Sequence, residues 1–453
     1  MNIDKHIRAL FYHLMTTKDL RAEVITPKNR FLRFSNSGRQ SIEDTTRAHL
    51  TNLIQHARTN CPYYSQVFRE TGFDLQGDDI YQILKSLPIL TKEIIEQNRE
   101  QMISRLHRRG DIVTSYTGGS SGTPTSFYQD MKCRVQRIGR QLGILQRCGY
   151  DVGDRCGLVW GAHQDLANDN RAGFLKRKVH ELARSKKVLD CQLMDEDQLM
   201  DYYHQLKDYN PSVLYGYPYA LCAFAEFIGR HDLQPIRVKT IMCTAERMST
   251  SQRKLLQDTF GGEVFNLYCT REHGCVAFEC PEHKGMHIDA GSVYIEIVPD
   301  DPGNPNAEAG KIVVTDLLNH GMPFIRYAIG DRGALSTGEC PCGCKLPLLS
   351  RLEGRVSQLL YRPDGRIVAG LMLIDIFMDT PEIDKVQIIQ KTLTDVDVNL
   401  IPREGYAEPT EAWAISELKK HMGDGVNIAI NLVNDIPVNE HSGKFPEVVC
   451  LIK

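Results

Sequence analysis

The chain has 453 residues, of which 42% are hydrophobic and 25% are charged, and its 54 basic and 57 acidic residues leave a formal charge of −3. This composition excludes a disordered or collagen-like chain. The acidic balance argues against a nucleic-acid partner, because phosphate affinity needs a basic excess. Charges interrupt the apolar N-terminal residues and no apolar run nears the roughly 20 residues of a membrane span. We therefore expect no signal peptide, no membrane association, a cytoplasmic location and two or three domains.

The first elements that the sequence predicts, in chain order, are helices. Apolar residues at helical spacing predict a helix over 41–69, and Pro62 interrupts its pattern. A shorter helix is expected over 91–104, with Thr91 as its N-cap.

Short β-rich runs alternate with helical segments from about residue 111 to 320, which is typical of α/β sheets. Helices are predicted over 131–147 and 249–260, the second beginning in a Ser249–Gln252 capping box. The β-rich runs are GLVWGA, SVLYGY, TIMCTA, EVFNLYC, SVYIEIV and KIVVTDL.

A smaller C-terminal unit is expected after a polar, turn-rich stretch near residue 355. The pattern predicts a strand over 385–401, a helix over 409–421 and a strand over 426–433. Together these elements form a small α+β domain.

A glycine- and hydroxyl-rich run, SYTGGSSGTP, covers residues 115–124. Glycines let the backbone expose N–H groups, and hydroxyls add donors for phosphate oxygens. The run lacks the lysine of a P-loop, so the residues alone leave open a phosphate site or an ordinary loop.

The fourteen cysteines divide into two groups. Ten are scattered, and those among apolar residues, such as Cys156, Cys222 and Cys243, are expected to be core residues. The other four are Cys280 and a dense CPCGC cluster over 340–344, and histidines follow Cys280 closely. Two separated groups of thiol and imidazole ligands suit a tetrahedral structural Zn²⁺, and reduced cysteines without metal are the alternative.

Several motifs occur in one order along most of the chain from about residue 40. They are NCPYY (60–64), LPILTK (87–92), TGGSSGTP (117–124), GYP (216–218), TAE (244–246), YCTRE (268–272), RYAIGD (326–331) and SGKF (442–445). In this order they resemble the adenylate-forming superfamily, within it the phenylacetate–CoA ligase-like branch that includes capsular-polysaccharide-biosynthesis homologues.

The resemblance implies a reaction in which a carboxylate attacks the α-phosphate of ATP and a thiol or amine then takes the acyl group. Lys444 would be the catalytic cation that bridges the substrate carboxylate and the phosphate. The phosphates would be held by Thr117, Gly118, Gly119, Ser120, Ser121, Gly122 and Thr123. Thr125 stands where the family usually has lysine.

The same resemblance assigns the remaining nucleotide residues. Tyr268 would stack on adenine and Glu272 would bind Mg²⁺, although Cys269 replaces the family's glycine and Arg271 its hydroxyl residue. Ala245 and Glu246 would line the adenine and acyl pocket.

Asp331 would accept hydrogen bonds from both ribose hydroxyls, and Arg355 would reach the ribose or phosphate. Gly354–Arg355 matches the dipeptide before the interdomain hinge, which divides the chain into residues 1–354 and a mobile domain over 355–453 that carries Lys444.

The resemblance also narrows the metal ligands. It implies zinc on Cys280, His287, Cys340 and Cys342, with His283 or Cys344 as alternative ligands.

We therefore predict an α/β fold, with a large adenylate-forming domain and a small mobile α+β domain, and an acyl- or aryl–CoA ligase that uses ATP, Mg²⁺ and coenzyme A. The alternatives are an amide synthetase with an amine acceptor and a non-catalytic nucleotide-binding homologue. The acid is not identified, although Trp160, Tyr215 and Tyr217 are candidate pocket residues. A homodimer stays open.

Overall fold

The structure is a computed structural model whose largest feature is an eleven-stranded sheet flanked by helices; a four-stranded sheet lies near the C-terminus. The predicted α/β class is confirmed. The described residues are 18–72, 79–116, 125–160, 185–191, 194–246, 248–300, 308–355, 359–364, 367–370, 373–374, 377, 380, 382–436 and 447–452. Within these ranges, helices long and apolar enough to cross a membrane do not occur.

Five helices form the N-terminal part of the described chain. The predicted helix over 41–69 is two helices, because Pro62 begins the second one. Thr91 caps its helix as predicted, accepting a hydrogen bond from the Ile94 amide at 3.4 Å, but that helix ends at residue 98. The helices are α1 (Lys18–Phe34), α2 (Arg39–Asn60), α3 (Pro62–Thr71), α4 (Ile80–Ser86) and α5 (Lys92–Asn98).

A hairpin, β1 (Ile112–Tyr116) and β2 (Ser126–Asp130), flanks the glycine-rich run. Helix α6 (Met131–Arg147) follows directly and has the predicted bounds. The Asp130 carboxylate caps it by accepting the Cys133 amide at 2.7 Å.

The large sheet is half parallel and half antiparallel. In sheet order, β4, β3, β5, β6 and β7 are parallel, and β8, β9, β13, β12, β11 and β10 continue antiparallel. All six predicted β-rich runs form strands here. The strands are β3 (Cys156–Trp160), β4 (Lys186–Asp190), β5 (Val213–Gly216), β6 (Thr240–Thr244), β7 (Glu263–Thr270), β8 (Gly274–Glu279), β9 (Met286–Ile288), β10 (Val293–Val298), β11 (Gly310–Asp316), β12 (Tyr327–Leu335) and β13 (Leu348–Arg355).

Three helices pack beside the parallel strands: α7 (Glu196–Tyr209), α8 (Pro218–Arg230) and α9 (Thr250–Phe260). The predicted Ser249–Gln252 capping box is present at the start of α9. Apolar residues of these helices and strands form one buried cluster, which includes Cys222 and Cys243 as expected for core cysteines. All fourteen cysteines are free.

The C-terminal sheet has the order β18, β17, β16, β19, with α10 packed against it. The prediction of a single strand over 385–401 is wrong, because the chain turns at Thr392–Asp395 and forms two strands. Thr392 Oγ1 closes this turn by accepting the Asp395 amide at 3.0 Å. The elements are β14 (Leu359–Tyr361), β15 (Ile367–Ala369), β16 (Ile383–Gln390), β17 (Asp395–Pro402), α10 (Glu408–Met422), β18 (Asn427–Leu432) and β19 (Val448–Cys450). The domain boundary at residue 355 stays a prediction.

Candidate functional site

The carboxyl ends of four neighbouring parallel strands meet at one edge of the large sheet. Trp160 ends β3, Gly216 ends β5, Thr244 ends β6 and Thr270 ends β7. In open α/β sheets ligands bind at this edge. The sheet therefore brings the candidate acyl-pocket residues and the YCTRE segment to one place.

Tyr268 and Asp331 form a buried pair at this edge. The Tyr268 hydroxyl donates to Asp331 Oδ2 at 2.6 Å, and the two residues are 7% and 8% exposed. Their strands, β7 and β12, are four steps apart in the sheet order, which is about 19 Å in a flat sheet. The sheet must therefore curl strongly to bring the two predicted nucleotide residues together.

Glu272 lies in the turn after β7 and contacts strand β12, which carries Asp331. Its Oε1 accepts a hydrogen bond from the Tyr327 hydroxyl at 3.4 Å. Gln129 of β2 donates to the backbone carbonyl of Glu272, also at 3.4 Å. The strand that follows the glycine-rich run thus touches the turn that carries the predicted Mg²⁺ ligand.

Arg137 and His273 also belong to this region, and the sequence reasoning missed them. Arg137 forms a buried ion pair with Asp316. Burial lowers the pKa of Arg137, but the negative charges around it, with Asp316 as the largest and Glu272 as a smaller contributor, raise that pKa overall. His273 is buried, and burial followed by the charge of Arg137 lowers its pKa well below the usual value. Arginine recurs every third residue in the middle of α6, at Arg134, Arg137 and Arg140. The sequence therefore does not distinguish Arg137 from its neighbours, and only its packing does.

Ala245 and Glu246 follow β6 at the same edge. Ala245 has φ +71°, a left-handed conformation that costs energy for a residue with a Cβ and is concentrated at functional sites. Glu246 Oε2 accepts the Tyr219 amide at 3.3 Å, which places its negative charge at the positive N-terminus of α8.

An aromatic wall extends this edge beyond β5. The Trp160 ring stacks on Tyr217, with centroids 4.8 Å apart and planes at 29°, and lies 5.9 Å from Tyr215.

Cys269 pairs across strands with Cys275. A hydrogen bond from Cys275 lowers the pKa of Cys269, while burial opposes the shift.

Other predicted residues lie outside the described residues. These are the phosphate-loop positions 117–123, Lys444 and the side chain of Arg355. The Arg355 backbone is directly opposite Asp331 in the β12–β13 ladder. Their predicted roles stay predictions.

The four predicted zinc ligands converge in a separate cluster. One ligand atom from each of Cys280, His287, Cys340 and Cys342 lies within 4.8 Å of all the others. Cys280 Sγ is 3.5 Å from Cys340 Sγ, and Cys342 Sγ is 3.2 Å from His287 Nε2. Three of the four residues are buried, and the set fits a closed tetrahedral site.

The two alternative ligands lie apart from this group. His283 Nδ1 is 3.3 Å from Glu279 Oε2. The Cys344 thiol donates to the Ser35 carbonyl at 3.4 Å, while the Cys344 amide donates to Cys342 Sγ at 3.5 Å. The Cys344 backbone thus contacts one of the four converging sulfurs, while its thiol is bonded to a carbonyl outside the group.

The C-terminal sheet touches the large domain through helix α8. Lys385 Nζ donates to the Tyr219 hydroxyl at 2.9 Å, and Arg403 Nη2 donates to Glu226 Oε1 at 2.7 Å. Glu246 of the candidate site caps the N-terminus of this same helix. Helix α8 therefore contacts both the candidate site and the C-terminal sheet.

Comparisons with known proteins find similar ligases. The CapK C-terminal domain profile matches residues 360–450. The phenylacetate–coenzyme A ligase of Thermus thermophilus is 24% identical over 73% of this chain and 72% of its own length. The indoleacetate–lysine synthetase of Pseudomonas savastanoi is 23% identical over 58% of this chain and 63% of its own.

Among solved structures, a 2-hydroxyisobutyryl-CoA ligase in the postadenylation state superposes with a TM-score of 0.71 at 17% identity, covering 91% of this chain and 89% of the other. An amide bond synthetase from Marinactinospora thermotolerans gives 0.53 at 15% identity, covering 75% and 68%. The fold is that of the adenylate-forming ligases. The predicted resemblance to the phenylacetate–CoA ligase-like branch is confirmed by these relatives, and residues 360–450 match the CapK C-terminal domain.

Proposed function

We propose that this protein is an ATP-dependent, AMP-forming ligase that activates a carboxylic acid and transfers the acyl group to coenzyme A. The observation that carries the proposal is the hydrogen bond between Tyr268 and Asp331, together with the contact of Glu272 with Tyr327 on the strand that carries Asp331. An aromatic ring, a carboxylate for the ribose diol and a carboxylate for a hard cation are the groups that Mg·ATP needs. The likeness to phenylacetate–CoA ligases supports the same reaction.

In the first step, a carboxylate oxygen of the acid forms a bond to the α-phosphorus, and pyrophosphate leaves with the electrons of the broken P–O bond. Asp331 would fix the ribose, with the Tyr268 hydroxyl orienting its carboxylate. Glu272 would hold Mg²⁺, which neutralises phosphate charge when bound. Residues 117–123 and Lys444 would provide the donors to the phosphates.

In the second step, the coenzyme A thiolate attacks the acyl carbonyl and AMP leaves. The C-terminal domain would rotate between the steps and withdraw Lys444 from the phosphate. The Lys385–Tyr219 and Arg403–Glu226 contacts would break in that rotation. The proposed location is the cytoplasm.

A second candidate is an amide synthetase that transfers the adenylate to an amine. The likeness to the indoleacetate–lysine synthetase favours it. The two candidates share the first step and differ only in the acceptor.

ATP–pyrophosphate exchange with a panel of aryl and alkyl carboxylic acids tests the shared step. We expect ATP–pyrophosphate exchange that depends on one class of acid. If none of the acids supports exchange, both ligase proposals are excluded and the non-catalytic homologue is favoured. The pre-formed adenylate is then offered coenzyme A and simple amines together. The mass of the product shows which of the two acceptors the enzyme uses.

We further propose that Cys280, His287, Cys340 and Cys342 hold a structural zinc ion. Their ligand atoms already converge, and the chain supplies four ligands, leaving no position for substrate. Zinc bound here would link the end of β8, strand β9 and the loop between β12 and β13.

A further inference from the structure

A cavity of about 430 Å³ lies between helices α2 and α6, apart from the candidate nucleotide site. Helix α2 lines it with His49 and Asn52, and α6 lines it with Lys132, Gln136 and Arg140. The lining residues of α6 are four apart, so they share one face of that helix. The volume falls within the range of small-molecule sites.

One wall of the cavity is fixed by a buried ion pair. Arg140, 4% exposed, donates from Nε to Asp289 Oδ2 at 2.7 Å and forms a second bond to the same carboxylate. Gly291 allows this position, because a Cβ there would lie 2.2 Å from Arg140 Nη2. The wall is therefore rigid, and its two charges offset one another.

The remaining charges in the lining are predominantly positive. Arg30 and Lys132 lie at the exposed mouth. Asp130 is the acidic residue that the described chain contributes to the lining, and its carboxylate already accepts three backbone N–H groups at 2.7 to 3.0 Å. An entering anion thus meets two cations and a carboxylate whose charge is compensated.

Neutral donors complete the cavity. The Nδ1 atoms of His49 and His107 are buried and have no hydrogen-bond partner among the described residues. Burial, followed by the charge of Arg140, lowers the pKa of His49, while a hydrogen bond of its ring to the Gly291 backbone opposes the shift. The Asn52 and Gln136 amides add donors to the lining. The unpartnered His107 nitrogen gains free energy when a ligand supplies a polar partner.

We propose that this cavity binds a small organic phosphate monoester. The phosphate dianion would lie between Lys132 and Arg30, with the Asn52 and Gln136 amides as additional donors, and Leu317 and Leu318 would contact the organic part. The charge of a dianion matches the two cations, whereas a carboxylate carries a single negative charge.

The cavity and the phosphate-loop positions lie at opposite ends of strand β2. Asp130 ends that strand and lines the cavity, while residues 117–124 precede its start. Five strand residues span about 17 Å. Gln129 of the same strand contacts the Glu272 carbonyl, so the cavity and the proposed nucleotide site share strand β2, and the test below occupies the nucleotide site with AMP.

Isothermal titration calorimetry of the full chain, with AMP present in excess, tests the proposal. The probes are glucose 6-phosphate and glycerol 3-phosphate, with glucose and inorganic phosphate as comparators. We expect the monoesters to bind, glucose to give no heat, and inorganic phosphate to bind more weakly. If neither monoester binds at concentrations up to about 10 mM, the proposal is overturned. If inorganic phosphate binds more tightly than the monoesters, the assignment to a monoester is overturned.

Matched charge removals on one helix locate the binding. Lys132→Ala should weaken monoester binding about tenfold, because it removes a charged donor at the mouth. Arg134→Ala removes the same charge from the same helix outside the lining and should leave binding unchanged. Equal losses in both variants would show nonspecific attraction and refute the site. Lys132 is exposed, so the folded state is expected to persist, and a thermal melt verifies it.

Discussion

The metal cluster and the nucleotide site are built differently. The four candidate zinc ligands come from neighbouring parts of one sheet, and their atoms already meet within 4.8 Å. The proposed nucleotide site would join Tyr268, Asp331 and Glu272 to the predicted residues 117–123 and Lys444, which lie far apart in sequence. A closed ligand set suits a structural role, whereas a site assembled from separate units can change between half-reactions.

Lys444→Ala should have the largest effect, because it removes the only predicted cation that the C-terminal end contributes to the reacting phosphate. We expect ATP–pyrophosphate exchange to fall about a thousandfold, or about 4 kcal/mol of transition-state stabilisation. Acyl transfer from a supplied adenylate to coenzyme A should continue. Equal loss of both steps would mean that Lys444 is not specific to adenylation.

Cys340→Ser/Cys342→Ser should destabilise the protein through loss of zinc. Metal analysis of the unsubstituted protein, purified without chelator, should give about one zinc per chain, and the variant should give none. Loss of the site should cost about 3 kcal/mol and lower the Tm by about 4 °C.

Cys344→Ser is the matched control for that variant, because it changes a neighbouring thiol outside the ligand group. Zinc content should be retained and the Tm nearly so. Zinc loss in the control would place Cys344 among the ligands and exclude the proposed set.

Asp331→Asn should weaken nucleotide binding and leave the metal cluster intact. The substitution keeps the shape and an acceptor for the Tyr268 hydroxyl but removes the charge that would strengthen the ribose hydrogen bonds. We expect kcat/KM for ATP to fall about thirtyfold, or about 2 kcal/mol, with an unchanged zinc content. An unchanged KM for ATP would refute the ribose role.

Tyr268→Phe should have a smaller effect on the same site. The ring for stacking is kept and only the hydroxyl that orients Asp331 is lost, which is worth about 1 kcal/mol. A KM for ATP raised about fivefold, with kcat nearly unchanged, is the expected outcome in steady-state kinetics. Tyr268→Ala should be worse than Tyr268→Phe; equal effects would argue against stacking.

Arg403→Ala should have the smallest effect, because its ion pair with Glu226 is partly exposed and such pairs contribute about 0.5 kcal/mol. Weakening this contact should change the ratio of adenylation to acyl-transfer rates about twofold in single-turnover experiments. Lys391→Ala, in another exposed ion pair of the C-terminal sheet, is the control and should leave the ratio unchanged.

Elements with strong local signals could be predicted from sequence. The α6 bounds, the Ser249–Gln252 capping box and the six β-rich runs follow from apolar periodicity and capping chemistry. The helix over 41–69 was placed correctly but divided wrongly, because proline fits the first turn of a new helix. The turn at 392–395 was missed because threonine and aspartate side chains close it without glycine or proline.

The sequence by itself determined the type of chemistry: the order of motifs indicated an adenylate-forming ligase, and the cysteine spacing indicated a metal site. Only the tertiary structure decided which residues meet. It separated His283 and Cys344 from the four converging ligands, and it paired Arg137 with the buried Asp316. It also joined Tyr268 to Asp331 across 63 positions of sequence. The physical reason is that spacing along a chain records local geometry, whereas these contacts depend on how a sheet curls and on which helix face is buried.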